Sequence, residues 1–163
     1  MRLFCLLLCF NLTACGFHLR GSYHIPPELQ QLSLELASSS PLNSPLTQRL
    51  KQSGIQLNQG DYRLVILEDK LNKQTTNTDS RAKAAEYSLY YQLRYVLQNS
   101  QQQNISEERK LLLHRSYQYD TTAIVGKTAE EETLIKELYE EAATQITRQL
   151  SGFKHLSDTK TAP

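Results

Sequence analysis

The chain has 163 residues, with 18 lysines and arginines against 17 aspartates and glutamates. This length suits one compact domain with a hydrophobic core. The near-neutral charge excludes the broad positive field that nucleic-acid binding needs, although it leaves room for a small local basic site.

The N-terminal residues have the layout of an export signal. Arg2 precedes a short apolar run, residues 3–12, which is only about half of the roughly 20 residues that a membrane-spanning helix needs. The tetrapeptide LTAC, which ends at Cys15, resembles the lipobox of bacterial lipoproteins, in which the cysteine thiol receives a diacylglyceryl group. The alternative is an ordinary signal peptide, or a buried segment, in which the cysteine occurs by chance. We predict a lipoprotein signal peptide over residues 1–14.

Cysteine usage favours a lipid anchor over a disulfide. Cys5 and Cys9 lie in the predicted leader, so Cys15 would be the one cysteine of the mature chain and would have no partner. Two or more acyl chains hold a protein stably on a bilayer, because each buried methylene contributes about 0.8 kcal/mol. Lipoproteins kept at the inner membrane commonly resemble a Cys-Asp pattern, whereas Gly16 follows here. We therefore expect the outer membrane and no cofactor beyond the covalent diacylglycerol and N-acyl lipid on Cys15.

The mature chain begins with a tether and a first strand. Removing the fourteen leader residues leaves 149, with seventeen basic and seventeen acidic side chains because Arg2 is lost. Residues 15–27 are read as the lipidated N-terminus and tether. Leucines then alternate with polar residues and predict a half-buried strand; they are Leu32, Leu34 and Leu36.

A short helix should follow this strand. Ser44 suits an N-cap and Pro45 suits the first helical turn. Gly54 suits a C-terminal stop. We predict a helix from about 45 to 53.

Three further strands are predicted over residues 62–71, 85–98 and 110–122. The middle one alternates tyrosine and leucine along one face, which is typical of a core face with cross-strand pairs; these residues are Tyr87, Leu89, Tyr91, Leu93, Tyr95 and Leu97. Tyr90 lies on the opposite face, where it is a candidate for contact with a partner.

The last element is an amphipathic helix. Thr128 and Glu131 have the spacing of a capping box, and Gly152 ends the pattern. The apolar stripe between them predicts one buried side; it consists of Leu134, Leu138, Ala142, Ile146, Leu150 and Phe153.

The element order β-α-β-β-β-α predicts an α+β fold. The first strand and helix form a βαβ crossover, and the remaining strands form an antiparallel meander. We expect a two-layer sandwich, in which a four-stranded mixed sheet carries both helices on one face. The single domain should cover residues 28–155, followed by a flexible tail over 156–163.

Motifs for catalysis or metal binding are absent from the sequence. The four histidines lack the spacing of ligands on one helix face, and neither a nucleophile elbow nor a glycine-rich phosphate loop occurs. We therefore predict a protein that is not an enzyme and holds no metal. A periplasmic hydrolase that uses His114 or Glu86 is the alternative.

Three segments resemble the lipopolysaccharide-assembly lipoprotein (LptE) family. They are LTACGFHLRG at 12–21, AAEYSLYYQLRYVL at 84–97 and KTAEEETLIKELYEEAATQITRQL at 127–150. The element order also matches the family. The resemblance implies an outer-membrane lipoprotein on the periplasmic side that plugs the LptD barrel, assists the barrel's assembly and contacts lipopolysaccharide. A neutral domain rich in amide and hydroxyl side chains suits a polar barrel lumen. The alternative is an accessory lipoprotein of another envelope machine, such as general outer-membrane barrel insertion.

The phosphates of lipid A require Lys or Arg partners. The meander places the loop after the second strand and the exit of the fourth strand at the same end of the sheet. The first loop supplies Lys73, Arg81 and Lys83, and the second supplies Lys127. Family members resemble this arrangement, so these residues are the candidate lipopolysaccharide site; the alternative is ordinary solvated loop charges. Tyr90 is the candidate barrel contact.

Overall fold

A computed structural model of the chain describes residues 24–58, 60–78, 84–118 and 124–153, without the side chains of 84, 85 and 124–127. The predicted leader, Cys15 and the predicted tail over 156–163 lie outside these residues. The domain limits therefore stay a prediction.

Within the described residues, a short 3-10 turn at Pro27–Leu29 is followed by five strands and two helices. In chain order these are β1 (Gln31–Glu35), α1 (Asn43–Gln52), β2 (Gln56–Leu57), β3 (Tyr62–Thr78), β4 (Ala84–Asn99), β5 (Arg109–Gln118) and α2 (Ile124–Ser151). The sheet order is β2-β1-β3-β4-β5. Strand β1 is parallel to β2 and β3, and β3, β4 and β5 are antiparallel. The predicted α+β class, mixed sheet, crossover and meander are confirmed.

The prediction of four strands is wrong, because β2 adds a fifth at the sheet edge. Its two residues pair in parallel with β1, Gln56 with Gln31 and Leu57 with Leu32. Two residues are too few to show a period-two pattern. This strand forms only because α1 delivers the chain beside β1.

Helix α1 begins earlier than predicted and is capped differently. It begins at Asn43, and the N-cap position is Leu42, which makes no side-chain capping bond. Ser44 is therefore not the N-cap. The Leu42 N–H instead donates to Ser40 Oγ at 3.1 Å, which holds the entry to the helix. The predicted stop at Gly54 is confirmed, since its φ of 84° lies in the left-handed region.

The tyrosine-leucine face of β4 forms the centre of the core, as predicted. Leu89, Tyr91, Leu93, Tyr95 and Leu97 are at most 1% exposed. Both helices contribute buried side chains to the same cluster; they include Leu46, Leu50, Leu138, Ala142, Ile146 and Leu150. Both helices therefore cover one face of the sheet, and the other is called the open face below.

Two of the predicted boundaries are wrong at the far end of the sheet. Strand β3 continues to Thr78, because its polar second half pairs with β4 through partners such as Gln74 with Ser88 and Thr75 with Tyr87. Backbone pairing there replaces the apolar pattern on which the sequence prediction depended. Helix α2 begins at Ile124, so Thr128 lies inside the helix and does not cap it.

Candidate functional site

Strands β3 and β4 form a long hairpin, and the sequence analysis assigns the candidate basic residues to its far end. We call it the hairpin end and define it as residues 73–78, 84–90, 115–118 and 124–131. Lys73 lies in β3, not in a loop as predicted, and Lys127 lies in the first turns of the α2 backbone. Arg81 and Lys83 fall outside the described residues. Antiparallel pairing along β3, β4 and β5 brings Lys73 beside the beginning of α2.

Lys73 sits in a cluster of aromatic rings and one carboxylate. Its Nζ lies 2.6 Å from Glu131 Oε2 and 4.3 Å from the centroid of the Tyr87 ring. Tyr117, which is 4% exposed, donates its hydroxyl proton to the same Glu131 oxygen at 2.6 Å. The Tyr87 and Tyr117 rings are 5.7 Å apart and tilted by 32°. One carboxylate oxygen therefore joins β3, β5 and α2. We call these four side chains the Lys73 cluster.

Protonation of this cluster is set by burial and pairing acting in opposite directions. Burial, the largest single cause, would lower the pKa of Lys73, but the hydrogen bonds and charges of Glu131 and Tyr117 together outweigh it and leave this pKa raised. Burial alone would raise the pKa of Glu131, but Lys73 and Tyr117 hold it below its ordinary value. Both shifts favour the charged pair. The ammonium and the carboxylate are thus both ionised at neutral pH.

The described side chains at the beginning of α2, residues 128–131, are exposed or half-buried. Among the described α2 side chains, fully buried ones begin at Leu138, while Leu134 and Ile135 are half-buried. Glu131 lies two turns before Leu138 and contacts the sheet through Lys73 and Tyr117. Its side chain is therefore used for tertiary contact and not for the predicted capping box.

The open face carries a small apolar patch around the predicted contact residue. Tyr90 on β4 is 40% exposed and its ring lies 4.8 Å from that of His114 on β5. Leu112, two residues before His114, is 67% exposed. We call Tyr90, Leu112 and His114 the Tyr90 patch. Its members are adjacent because Tyr90 pairs with His114 across the two strands.

A polar network borders this patch on the same face. Arg94 donates to Glu68 at 2.6 Å and to Glu108 at 2.7 Å, and Gln92 donates to Glu68 at 2.9 Å. The hydrogen bond from Arg94 is the main cause that lowers the pKa of Glu68. The open face thus combines paired polar groups with a small exposed apolar area around Tyr90 and Leu112.

The described residues give no arrangement for catalysis. His114 pairs with Tyr90, whereas Glu86 pairs with Gln118, four residues away along each strand. The part of the chain that the structure covers holds no group of three His, Cys, Asp or Glu side chains able to bind a metal ion. Within it, neither helix is long and apolar enough to cross a bilayer.

Sequence reasoning missed the partner of Lys73 and the exposure of Leu112. Glu131 lies 58 residues from Lys73, and its place in an apparent capping box gave a local explanation for it. Leu112 sits between two inward-facing leucines, Leu111 and Leu113. Alternation along β5 already requires the middle leucine of such a run to face outward.

Comparison with known proteins places this architecture in one family. The family described as "LptE: Lipopolysaccharide-assembly" matches residues 29–150. Two relatives are named LPS-assembly lipoprotein LptE. The one from Pectobacterium atrosepticum is 30% identical over 150 residues, with 83% of this chain and 76% of the relative covered. The one from Yersinia enterocolitica is 29% identical over 144 residues, with 83% and 68% covered.

Solved structures have the same fold. A minor lipoprotein from Acinetobacter baumannii is 31% identical with a TM-score of 0.66, covering 76% of this chain and 92% of that one. A lipoprotein B from Nitrosomonas europaea is 21% identical and supports the fold alone, with a TM-score of 0.73 and 85% and 92% covered. The prediction of a non-enzymatic lipopolysaccharide-assembly protein is thus confirmed at the level of the family. The chain belongs to the LptE family of lipopolysaccharide-assembly lipoproteins.

Proposed function

We propose that this chain is anchored to the periplasmic side of the outer membrane, plugs an LptD-like β-barrel, assists its assembly and binds lipopolysaccharide. Family membership over residues 29–150 supports a role in lipopolysaccharide assembly. The observation that carries the barrel role is the open face, on which the Tyr90 patch lies within a polar surround. The lumen of an outer-membrane barrel is polar, and a plug with this surface matches it.

The anchor is the diacylglyceryl and N-acyl lipid on Cys15. It would insert into the inner leaflet of the outer membrane and keep the domain next to its partner. Mass spectrometry of the mature N-terminus tests this assignment. A mature chain that begins at Cys15 with its acyl mass supports it, and a bare or uncleaved N-terminus contradicts it.

The barrel contact is tested by recovery of the tagged chain from outer membranes. The wild-type chain should retain a large β-barrel protein. Tyr90→Asp combined with Leu112→Asp should reduce that retention, because two carboxylates would replace the apolar part of the Tyr90 patch. Ser116→Asp is the matched control, since Ser116 is exposed on the same face of β5. A chain that retains a different envelope machine would contradict the barrel assignment.

We assign the lipopolysaccharide site to Arg81 and Lys127, with Lys83 and Lys73 as further candidates. Arg81→Asp combined with Lys127→Asp should weaken binding at least about tenfold, since each charge-assisted hydrogen bond contributes roughly 1.5–3 kcal/mol. Lys136→Asp is the control, because Lys136 lies on an exposed face of α2. Barrel retention should be unchanged in both variants. Unchanged lipopolysaccharide binding in the double variant would remove these two residues from the site.

A further inference from the structure

Lys73 is the candidate cation whose side-chain contacts the structure describes. Its ammonium group already contacts a carboxylate at 2.6 Å and the face of Tyr87 at 4.3 Å. A phosphate that took Lys73 from Glu131 would leave that carboxylate three-quarters buried, with its side chain 25% exposed. It would also place two negative groups side by side. Both effects oppose the exchange.

The same contacts make Lys73 an effective support for α2. Glu131 lies seven residues before Leu138, the first fully buried side chain among those described in the helix. That distance is about two turns. The Lys73 cluster thus adds contacts from the helix to β3 and β5 about one turn before Leu134, the first described α2 side chain that packs against the core. Lys127 lies four residues before Glu131, which is about one turn further toward the start of the helix.

We infer that the Lys73–Glu131 pair, in contact with Tyr87 and Tyr117, is a clasp that fixes the first turns of α2 and thereby positions Lys127 for lipid phosphate. Lys73 acts on the site as a positioning residue and does not itself bind the ligand. This inference rests on the proposed function and assigns a role to one residue of the proposed site. Fixing the backbone that carries a ligand group lowers the entropy lost on binding.

The direction in which one substitution changes lipopolysaccharide binding distinguishes a clasp from a direct ligand. Glu131→Gln removes the negative group that competes for Lys73. If Lys73 bound phosphate directly, this change would strengthen lipopolysaccharide binding. The clasp requires the opposite. Binding should weaken about three- to tenfold, the change that roughly 0.6–1.4 kcal/mol of lost ordering gives.

The experiment measures binding of lipopolysaccharide to the full lipidated chain, together with amide hydrogen exchange over residues 124–131. Lys73→Met and Glu131→Gln should each weaken binding and speed this exchange, and the double variant should be no worse than either single one. The charge-swapped pair Lys73→Glu with Glu131→Lys should recover slow exchange. Lys136→Met is the matched control, because Lys136 pairs with Glu140 on the exposed face of the same helix at 3.8 Å.

The outcomes distinguish this inference from the site assignment. Faster exchange with unchanged or stronger binding in Glu131→Gln would overturn the clasp, provided that the Arg81→Asp, Lys127→Asp variant still loses binding. Unchanged exchange in both clasp variants would overturn it as well. If the Arg81→Asp, Lys127→Asp variant binds normally, the proposed site itself fails. In that case weaker binding in the clasp variants could not act through Lys127, and the clasp would fail with the site.

Discussion

The two ends of the sheet are stabilised in different ways. At the core end, around β1, α1 and the second halves of β4 and α2, side chains such as Leu93 and Ile146 are fully buried. At the hairpin end, residues 73–78 of β3 are all exposed and are held by backbone pairing with β4. The chain therefore has an apolar core end and a polar hairpin end. Lys73 and the backbone of Lys127, the two predicted ligand residues within the described part of the chain, lie at the hairpin end. Binding sites are often carried by the less stable part of a fold.

The largest expected effect on stability comes from comparing one alanine substitution at each end. Leu93→Ala should lower the free energy of unfolding by about 2–5 kcal/mol, because Leu93 is fully buried and its loss leaves a cavity. Gln74→Ala, on the exposed part of β3, should change it by no more than about 0.5 kcal/mol. Urea denaturation measures both. Equal costs would show that the two ends are not stabilised differently.

Alkaline pH should act on the core end through a buried phenol. Burial raises the pKa of Tyr95 to about 12, whereas an unfolded tyrosine titrates near 10. Because the folded pKa is the higher one, neutral Tyr95 makes its full contribution to the free energy of unfolding below pH 10. This contribution is lost as the pH rises from about 10 to 12. The loss approaches roughly 2–3 kcal/mol for this group.

Unfolding by urea at pH 9 and at pH 11.5 measures the effect. Tyr95→Phe should lose less stability between these values than the wild-type chain does, because it has no phenol to ionise. The free energy of unfolding of Tyr95→Phe should still fall somewhat with rising pH, since burial also raises the pKa of Tyr91. If both chains lose the same free energy of unfolding between the two pH values, Tyr95 is not the group that titrates.

How far the sequence predicted this fold depended on which physical signal each element carried. The predictions of the alternating face of β4 and the apolar stripe of α2 are confirmed, because periodic burial appears in the sequence as a repeating pattern of apolar residues. The sequence predicts a loop for the second half of β3, because the side chains there are polar; in the structure, backbone pairing with β4 makes this segment a strand. Strand β2 was missed for a related reason: its two residues form a strand only beside β1.

The candidate site was predicted less completely than the fold. Sequence reasoning placed Lys73 and the beginning of α2 at one end of the sheet, and the structure brings them together. It did not find the Lys73–Glu131 contact, because a pair 58 residues apart leaves no local pattern. The predicted capping box had the right spacing for a helix start, but the helix begins four residues earlier at Ile124.

A third prediction concerns Asp69, which lies near the middle of β3 at the junction between the core end and the hairpin end. Asp69 accepts a hydrogen bond from the Tyr91 hydroxyl at 2.7 Å through Oδ1, and Oδ2 accepts one from Ser40. Asp69→Asn replaces one of these acceptors by an N–H donor and should lower the free energy of unfolding by about 1–2 kcal/mol. Asp61→Asn is the control, because Asp61 is exposed. Equal effects would show that Asp69 does not hold the junction.

The smallest expected effect on folding belongs to the Tyr90 patch. Leu112 is 67% exposed, and its neighbour Leu113 is 9% exposed. Leu112→Ser should therefore change the free energy of unfolding by no more than about 0.5 kcal/mol, whereas Leu113→Ser should cost about 2 kcal/mol or more. Urea denaturation of the two variants compares neighbouring leucines on opposite faces of one strand. If Leu112→Ser is as costly as Leu113→Ser, the open face is part of the folding core and is not free for a partner. If Leu112→Ser leaves stability intact and still lowers barrel retention, this leucine is kept exposed for the contact it makes with the barrel.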